Sequence, residues 1–446
     1  MGTAPDCACA SAAWTVDDRF VIFRKAARRV AHSTIQAMSS HLLMNRAPRR
    51  CTGLLLALVL VTAPAAAQTL AQALKQAWLL HPQAQAGSAR NAQAAANVEA
   101  ASSLTPGPAT LSLGAVSDRF HANQGQREWE VEMAVPLWLP GQKAAQSAEA
   151  ASGQTYVWAQ QQALRLQLAG ELRTAWWAVA AARQTRAQAQ QRVDTAQALM
   201  ANVQRRYRAG ELARIDANLA QREVLAAQGA LADSDAALLQ TEQAFRALTG
   251  IAAPVQLDPE PPAVQDAPGQ EHPLRAAASA TLAQAQARVR SADTTRRASP
   301  ELALRLVRDR GAAGQPYANT LGVKLTIPLS SEPLVRQAQS AALAELAQAQ
   351  AEIDQVEPTL ALDAALARRH LETTERQWKQ AQERLALDTD TLQLAEKAFA
   401  LGESDLTALL RARADALEAQ ALVGQQQVAL AAARSRMHQA LGVLPK

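Results

Sequence analysis

Aromatic residues are scarce: only 4% of the 446 residues are Phe, Trp or Tyr. Aromatics supply much of the buried area of ordinary cores, so this share argues against a conventional compact domain. Cysteine is rarer still, and all three (Cys7, Cys9 and Cys51) lie within the first 67 residues. The remainder of the chain therefore has no disulfide, thiolate nucleophile or cysteine-based metal site available to it. Charged residues reach 19%, too few for a polyelectrolyte tail, and a hydrophobic share of 49% argues against wholesale disorder. A one-signed charge is also missing from most of the chain. The formal net of +5 resides in residues 1–67, which hold eight of the 45 Lys/Arg and three of the 40 Asp/Glu. The other 379 residues carry 37 of each sign, so nothing there supports a nucleic-acid partner. What is abundant is Ala, Gln, Leu and Arg, the composition of long helices.

The leading 67 residues read as a leader with a secretory signal. Arg46, Arg49 and Arg50 form a positive segment, Leu54 to Val61 forms a short apolar run, and Ala65-Ala66-Ala67 offers a small-residue cleavage site before Gln68. The apolar run is too short to span a bilayer. Met44 heads this signal, which makes residues 1–43 either an overextended start or an unusually long positive leading segment. Cys51 precedes the apolar run and is not placed as an acylation site, so no lipid anchor is expected.

From Gln68 onward the chain is written twice. His81-Pro82 repeats as His272-Pro273 at an offset of 191; Pro136-Leu137, Gly210-Glu211 and Gly250 repeat as Pro328-Leu329, Gly402-Glu403 and Gly442 at 192. Gln146-Ser147-Ala148 repeats as Gln339-Ser340-Ala341 at 193. Spacing held across so many landmarks indicates a structural duplication. The repeats are expected at 68–250 and 272–446. Residues 251–271, with Pro254, Pro259, Pro261, Pro262 and Pro268, form an extended linker between them.

Each repeat reads as helix, two strands, then a long helical hairpin. The first helix is expected from about Leu70 to Ser102. Strands are expected at about 109–119 and 128–139, and again at about 301–310 and 320–329, with turns around His121–Gln126 and Gly311–Asn319. In the second strand Trp129, Val131, Met133 and Val135 alternate with Glu130, Glu132 and Ala134; in the fourth, Leu321, Val323, Leu325 and Ile327 alternate with Gly322, Lys324 and Thr326. This is period two, with one apolar and one polar face. Strands of roughly ten residues with such faces suit a membrane barrel, the apolar set meeting lipid and Glu130, Glu132, Lys324 and Thr326 lining an aqueous lumen. Trp129 and Trp138 bracket one strand, as interface aromatics do. A single hairpin would serve equally well half-buried in a soluble domain. Two at matched positions behind an export signal favour the membrane.

Gln142 to Arg208 is 67 residues without proline, which at 1.5 Å per residue reaches roughly 100 Å. Its return is expected from about Asp216 to Leu248. The second hairpin is expected at Val335–Ala400, with a kink at Pro358, and Leu406–Ala440. Leu164, Leu168, Leu172, Ala175 and Val179 form an amphipathic stripe, which an intermolecular coiled coil would equally explain. Gly210 and Gly402 are expected to reverse the chain at the far ends. Four strands cannot close a barrel in lipid, where about eight is the usual minimum and open edges are not tolerated. The fold class is thus mainly α with a minor β part and an internal duplication, and it demands an oligomer.

These features resemble the outer-membrane efflux proteins typified by TolC, over essentially all of Gln68 to Lys446. The resemblance is carried by Leu70 through Pro82, the paired Pro-Leu strand ends, and two turn motifs. These are RYRAGELARIDANLAQ (Arg206–Gln221) and AFALGESDLTALLRAR (Ala398–Arg413). The Gly-Glu-Leu turn, the short strand loops and Leu248–Gly250 are most similar to the CzcC-like branch, which serves heavy-metal cation efflux. The resemblance implies a homotrimer. Its twelve strands would form one barrel in the Gram-negative outer membrane, continued by a periplasmic helical tunnel. It further implies a passive exit duct joined to an inner-membrane pump by a periplasmic adaptor. The docking tip and gate would then comprise Gly210, Glu211 and Asp216 with Gly402, Glu403 and Asp405. Two positions that carry an acidic ring in the best-known member fall on Ala408 and Arg411 here, while Asp216 keeps the acid in the first repeat. Many members also begin on an acylated cysteine, where this chain would begin on Gln68.

No catalytic set is apparent and no cofactor is expected. His81, His121, His272, His370 and His438 are scattered, without zinc-ligand spacing. His81 and His272 read as helix-end residues, and Asp216 and Asp405 serve equally well as helix N-terminal acids or as gate residues. Two other readings stay open: a periplasmic adaptor, which should carry β segments flanking one hairpin, and a structural coiled coil, which needs no alternating strands.

Overall fold

The computed structural model describes residues 69–261 and 271–445; the signal segment and the linker prolines Pro262 and Pro268 lie outside them. The elements in chain order are α1 (Leu70–Leu80), α2 (Pro82–Ser102), β1 (Thr110–Ser117), β2 (Arg127–Pro136), α3 (Gln142–Arg208), α4 (Arg214–Thr249), α5 (Pro273–Thr294), β3 (Glu301–Arg310), β4 (Ala318–Thr326), α6 (Glu332–Ala400) and α7 (Leu406–Ala440).

Three expectations need correction. The single first helix is two. Thr69 and Gln72 close a reciprocal cap on α1, but His81 is extended (φ −69°, ψ 124°), because proline disfavours a helical residue before it. Pro82 then occupies the first turn of α2, where its missing N–H costs nothing. Second, β2 ends at Pro136 and does not reach 139, since Leu137 donates its N–H to the Pro300 carbonyl (2.7 Å) and the chain turns toward α3. Third, β4 begins at Ala318, inside the expected turn, and ends at Thr326, leaving Ile327 just beyond it. The expected bounds of α3 and α7 agree with the structure. Helix α6 continues through Pro358.

The four strands form one antiparallel sheet in the order β1-β2-β3-β4, so the duplicated hairpins meet at the β2–β3 junction. β1 and β4 are its open edges. Strand β2 runs directly into α3 and β4 into α6, which places the sheet at the start of both long helices and the glycine turns at their far ends. The hairpins α3–α4 and α6–α7 pack side by side through α3 and α7, while α2 and α5 lie against α3.

Apolar burial is strung along α3 as separate small clusters. Near the sheet, Ala159 and Ala163 meet Ala277 and Ala280. Midway, Leu168, Leu172, Trp176 and Val179 pack with Leu70, Leu74 and Phe245. Further out, Val193 and Ala196 face Val224 and Ala227. Alongside these clusters glutamines bond helix to helix. Gln161 donates to the Gly87 carbonyl (3.0 Å), Gln188 to Ala421 (2.9 Å) and Gln439 to Leu166 (2.9 Å). The expected stripe is therefore present but wider, because Leu166, Trp176 and Trp177 are buried on it as well.

Candidate functional site

The register fixes both faces of the sheet. Cross-strand partners share a face, and the rows Leu111–Met133–Leu304–Val323 and Leu113–Val131–Leu306–Leu321 are apolar from edge to edge, as is Val135–Leu302–Leu325 from β2 to β4. The face is not covered: Trp129 is 59% exposed, Val131 42% and Val323 73%. Ile327 is exposed beside it. A four-stranded sheet with so continuous an exposed apolar surface is not a stable arrangement in water.

The opposite face is polar, with acids in excess and both of its cations ion-paired. Arg305 on β3 pairs with Glu130 on β2 (2.6 Å) and approaches Glu128 (3.8 Å), and Lys324 on β4 pairs with Glu132 (3.3 Å). Thr326 lies on the same face, opposite Glu301. The expected alternation thus resolves into one apolar face and one ion-paired face, with Glu130, Glu132, Lys324 and Thr326 together on the latter.

At the far end, both hairpin turns have the same construction. Gly210 (φ +83°) and Gly402 (φ +77°) are left-handed, a conformation that costs a residue with a Cβ roughly 1–2 kcal/mol. Glu211 N–H bonds the Arg206 carbonyl and Gly210 N–H the Tyr207 carbonyl; Glu403 to Ala398 and Gly402 to Phe399 repeat this pair of bonds. Each helix thereby satisfies its last carbonyls. The carboxylates that follow are engaged as caps. Asp405 accepts from the Ala408 N–H (2.8 Å) at the start of α7, and Asp216 accepts from the Ala213 N–H (3.1 Å) at the start of α4. They are not equivalent positions: by the repeat offset Asp405 matches Ala213, and Asp216 matches Ala408.

Two tip residues escaped sequence reasoning. Arg206 pairs with Glu211 (3.1 Å) and lays its guanidinium 4.8 Å from the centre of the Phe399 ring, joining the end of α3 to the end of α6. Phe399 sits with Leu199, Val203, Leu406 and Leu409 in a core peculiar to the tip. Both residues stand inside the turn motifs, but nothing in their spacing marks them as partners.

His272 caps α5, its Nδ1 accepting the Leu274 N–H (3.2 Å), and its ring lies against the left-handed Gly442 at the end of the same repeat. His81 occupies the matching position but makes no side-chain cap. Burial first, then the Arg275 guanidinium, holds the His272 imidazole below its ordinary pKa, with Asp363 opposing. The neutral form is thus favoured in the fold. Its contribution to stability is full above the unfolded pKa of about 6.5 and is lost as pH falls from there through the lower folded value. Acidification from neutrality should lower the melting temperature of the helical signal. His272→Asn, which keeps an acceptor for Leu274 and does not titrate, should lose less over the same interval. Identical losses in both proteins would remove His272 as a cause.

No described helix is long and apolar enough to cross a membrane. Among the described residues no group of three or more His, Cys, Asp or Glu is arranged to hold a metal ion.

No protein-family model and no curated protein matches the chain in sequence. Solved structures do match in fold. The outer-membrane protein VceC of Vibrio cholerae superimposes with a TM-score of 0.67 at 15% identity, over 84% of this chain and 96% of that one. CusC, described as forming a transmembrane channel, gives 0.69 at 15%, over 85% and 93%. The open MtrE outer-membrane channel of Neisseria gonorrhoeae gives 0.66 at 16%, over 84% and 89%. The chain has the fold of these channel subunits: long helical hairpins in duplicate with a four-stranded antiparallel sheet.

Proposed function

We propose that the protein is an outer-membrane channel of a tripartite efflux system, a passive homotrimeric exit duct with a large periplasmic helical part. The observation that carries this reading is the sheet: a continuous exposed apolar face, an ion-paired opposite face and two open edges. An edge strand exposed to lipid leaves backbone groups without partners, so β1 must pair with β4 of another copy. Three copies close twelve strands, the number that the resemblance to efflux channels implies. The apolar face then meets lipid and the charged face lines water. The long helices continue the duct through the periplasm toward the glycine turns.

The tip, with Gly210, Glu211, Gly402 and Glu403 at its extremity, is the contact for a periplasmic adaptor linked to an inner-membrane pump. Asp216 and Asp405 act there first as helix caps, so any gating role operates through the start of α4 and α7. With Ala408 and Arg411 in the second repeat, the aperture lacks a second acidic ring. Heavy-metal cations are the cargo suggested by the Gly-Glu-Leu turn and its CzcC-like setting. Conduction needs only a wide aqueous path, and no resident metal site or enzymatic step enters the proposal.

The test is the native mass of the full chain, expressed with its leader and extracted from purified outer membranes in mild detergent. A trimer in that fraction supports the duct, and metal sensitivity of a deletion strain then tests the cargo. A soluble periplasmic monomer or dimer overturns it.

A further inference from the structure

Cations are distributed unequally over the two sheet faces. On the polar face Arg305 and Lys324 are each paired with glutamates. On the apolar face three arginines gather at one end with no carboxylate in ion-pair range among the described residues. Arg127 on β2 is the direct cross-strand partner of Arg310 on β3, and Arg308 is the partner of Trp129. Like charges placed directly opposite each other destabilise a ladder. No carboxylate among the described residues offsets this cost: the nearby acids Glu128 and Asp309 stand opposite each other on the other face. Arg308 and Arg310 hold their guanidiniums 4.9 Å and 5.1 Å from the centre of the Tyr317 ring. Arg310 also donates from Nε to the Gly125 carbonyl (3.1 Å), and its terminal nitrogens have no hydrogen-bond partner among the described residues.

This cluster lies at the hairpin-turn end of the sheet, away from the helices. Along β2 it is separated by Trp129, Val131 and Met133 from Val135 at the helix-proximal end, where the apolar rows carry no charge. The eight steps from Arg127 to Val135, at about 3.4 Å each, make some 27 Å of strand, which at a tilt of about 35–45° covers about 19–22 Å, most of the roughly 25 Å apolar band of such barrels. The arginines and Tyr317 therefore stand at one headgroup level and not at the other. With the helices in the periplasm, that level is the outer leaflet.

Resting on the duct reading, we infer that Arg127, Arg308 and Arg310, with Tyr317, form a binding site for the phosphorylated headgroup of an outer-leaflet glycolipid. Guanidinium presents paired donors that fit phosphate oxygens, and a phosphate monoester carries enough charge to neutralise the juxtaposed Arg127 and Arg310. The site is continuous with the apolar rows, so a headgroup held there lays its acyl chains over Val131 and its neighbours. A free phosphate would use only half of the surface. The asymmetry also gives the barrel a fixed depth and orientation, anchored from outside.

The experiment is native mass spectrometry of the detergent-purified trimer with diphosphorylated lipid A, and with the same lipid after enzymatic removal of both phosphates. The wild type should retain the phosphorylated lipid about tenfold better than the dephosphorylated one. R127Q/R308Q/R310Q should retain both equally, while R336Q/R369Q on α6, which also removes two cations, should behave as wild type. Should the triple variant fail to assemble, R308Q alone, whose guanidinium makes no hydrogen bond or ion pair among the described residues, is expected to lower retention about threefold. Retention unchanged in these variants, or displacement of the lipid by millimolar pyrophosphate, would overturn the site. Absence of a trimer from the starting membranes would instead sink the duct reading before any lipid is added.

Discussion

Arginine at Val131 and Val323 is expected to eliminate the protein from the outer membrane. Val131 lies mid-strand on β2 between Leu113 and Leu306, and Val323 on β4 lies opposite Leu304. If this face meets lipid, each arginine near the bilayer midplane costs roughly 2–4 kcal/mol, and a trimer carries the cost six times over. If the sheet instead faced water, both side chains are already exposed and their replacement would change stability by no more than about 0.5 kcal/mol. The companion changes Glu132→Gln and Lys324→Gln break one ion pair whose lysine is mostly solvated, at a cost of about 1 kcal/mol or less. The measurement is the amount of trimer in purified outer membranes. Loss with the arginine pair and retention with the glutamine pair supports the assigned orientation. Equal effects from the two pairs would contradict it.

The sheet faces were legible because a strand has period two, so alternation in the sequence becomes a face whatever the partner. Knowing which residue opposes which was not legible. Register follows from pairing, and the β2–β3 junction joins residues about as far apart as the repeat itself. For the same reason Ala318 and Asn319 read as turn residues, although Asp309 and Arg308 draw them into the ladder. The tip turns were legible because a left-handed helix end calls for glycine, and Gly-Glu recurs at the repeat offset. The roles of the neighbouring acids were not, since Asp405 caps its helix from outside and Asp216 from the third helical residue. The break at His81 was half legible: Pro82 marks His81 as a helix end, yet alanine-rich sequence continues on both sides and reads as one helix from Leu70 to Ser102.

Arg127, Arg308 and Arg310 give a different lesson. In sequence they are unremarkable cations at strand ends; period two already puts them on the apolar face, but only the register sets Arg127 against Arg310, and only the fold brings Arg308 and Arg310 to Tyr317. Their counterparts on the other face found glutamates within the chain. An unpaired cation acquires meaning from the face on which it stands, and the face is a property of the sheet.

The largest stability effect is expected at Glu260. This linker residue makes a bidentate bond to Arg173 of α3 (2.9 and 2.7 Å), and the two side chains are only 9% and 4% exposed. Arg173 also donates to Gln439 (2.7 Å) and to the Val443 carbonyl (2.9 Å) at the end of the second repeat, so one guanidinium joins α3, the linker and the α7 terminus. Beside it His438 Nε2 lies 2.7 Å from the Pro261 carbonyl, and Arg183 donates to the Pro254 and Val255 carbonyls. These contacts fix the described part of the linker, residues 251–261, against the helices. Glu260→Ala leaves a buried guanidinium without its counter-ion and should cost about 3–5 kcal/mol in chemical unfolding of the helical signal. Arg173→Met with Glu260→Leu removes both charges and should recover part of that loss, but not all, because Gln439 and the Val443 carbonyl then lose their donor. A loss below about 1 kcal/mol for Glu260→Ala would place the pair among solvated surface bridges and would remove the clamp as a coupling between the two repeats.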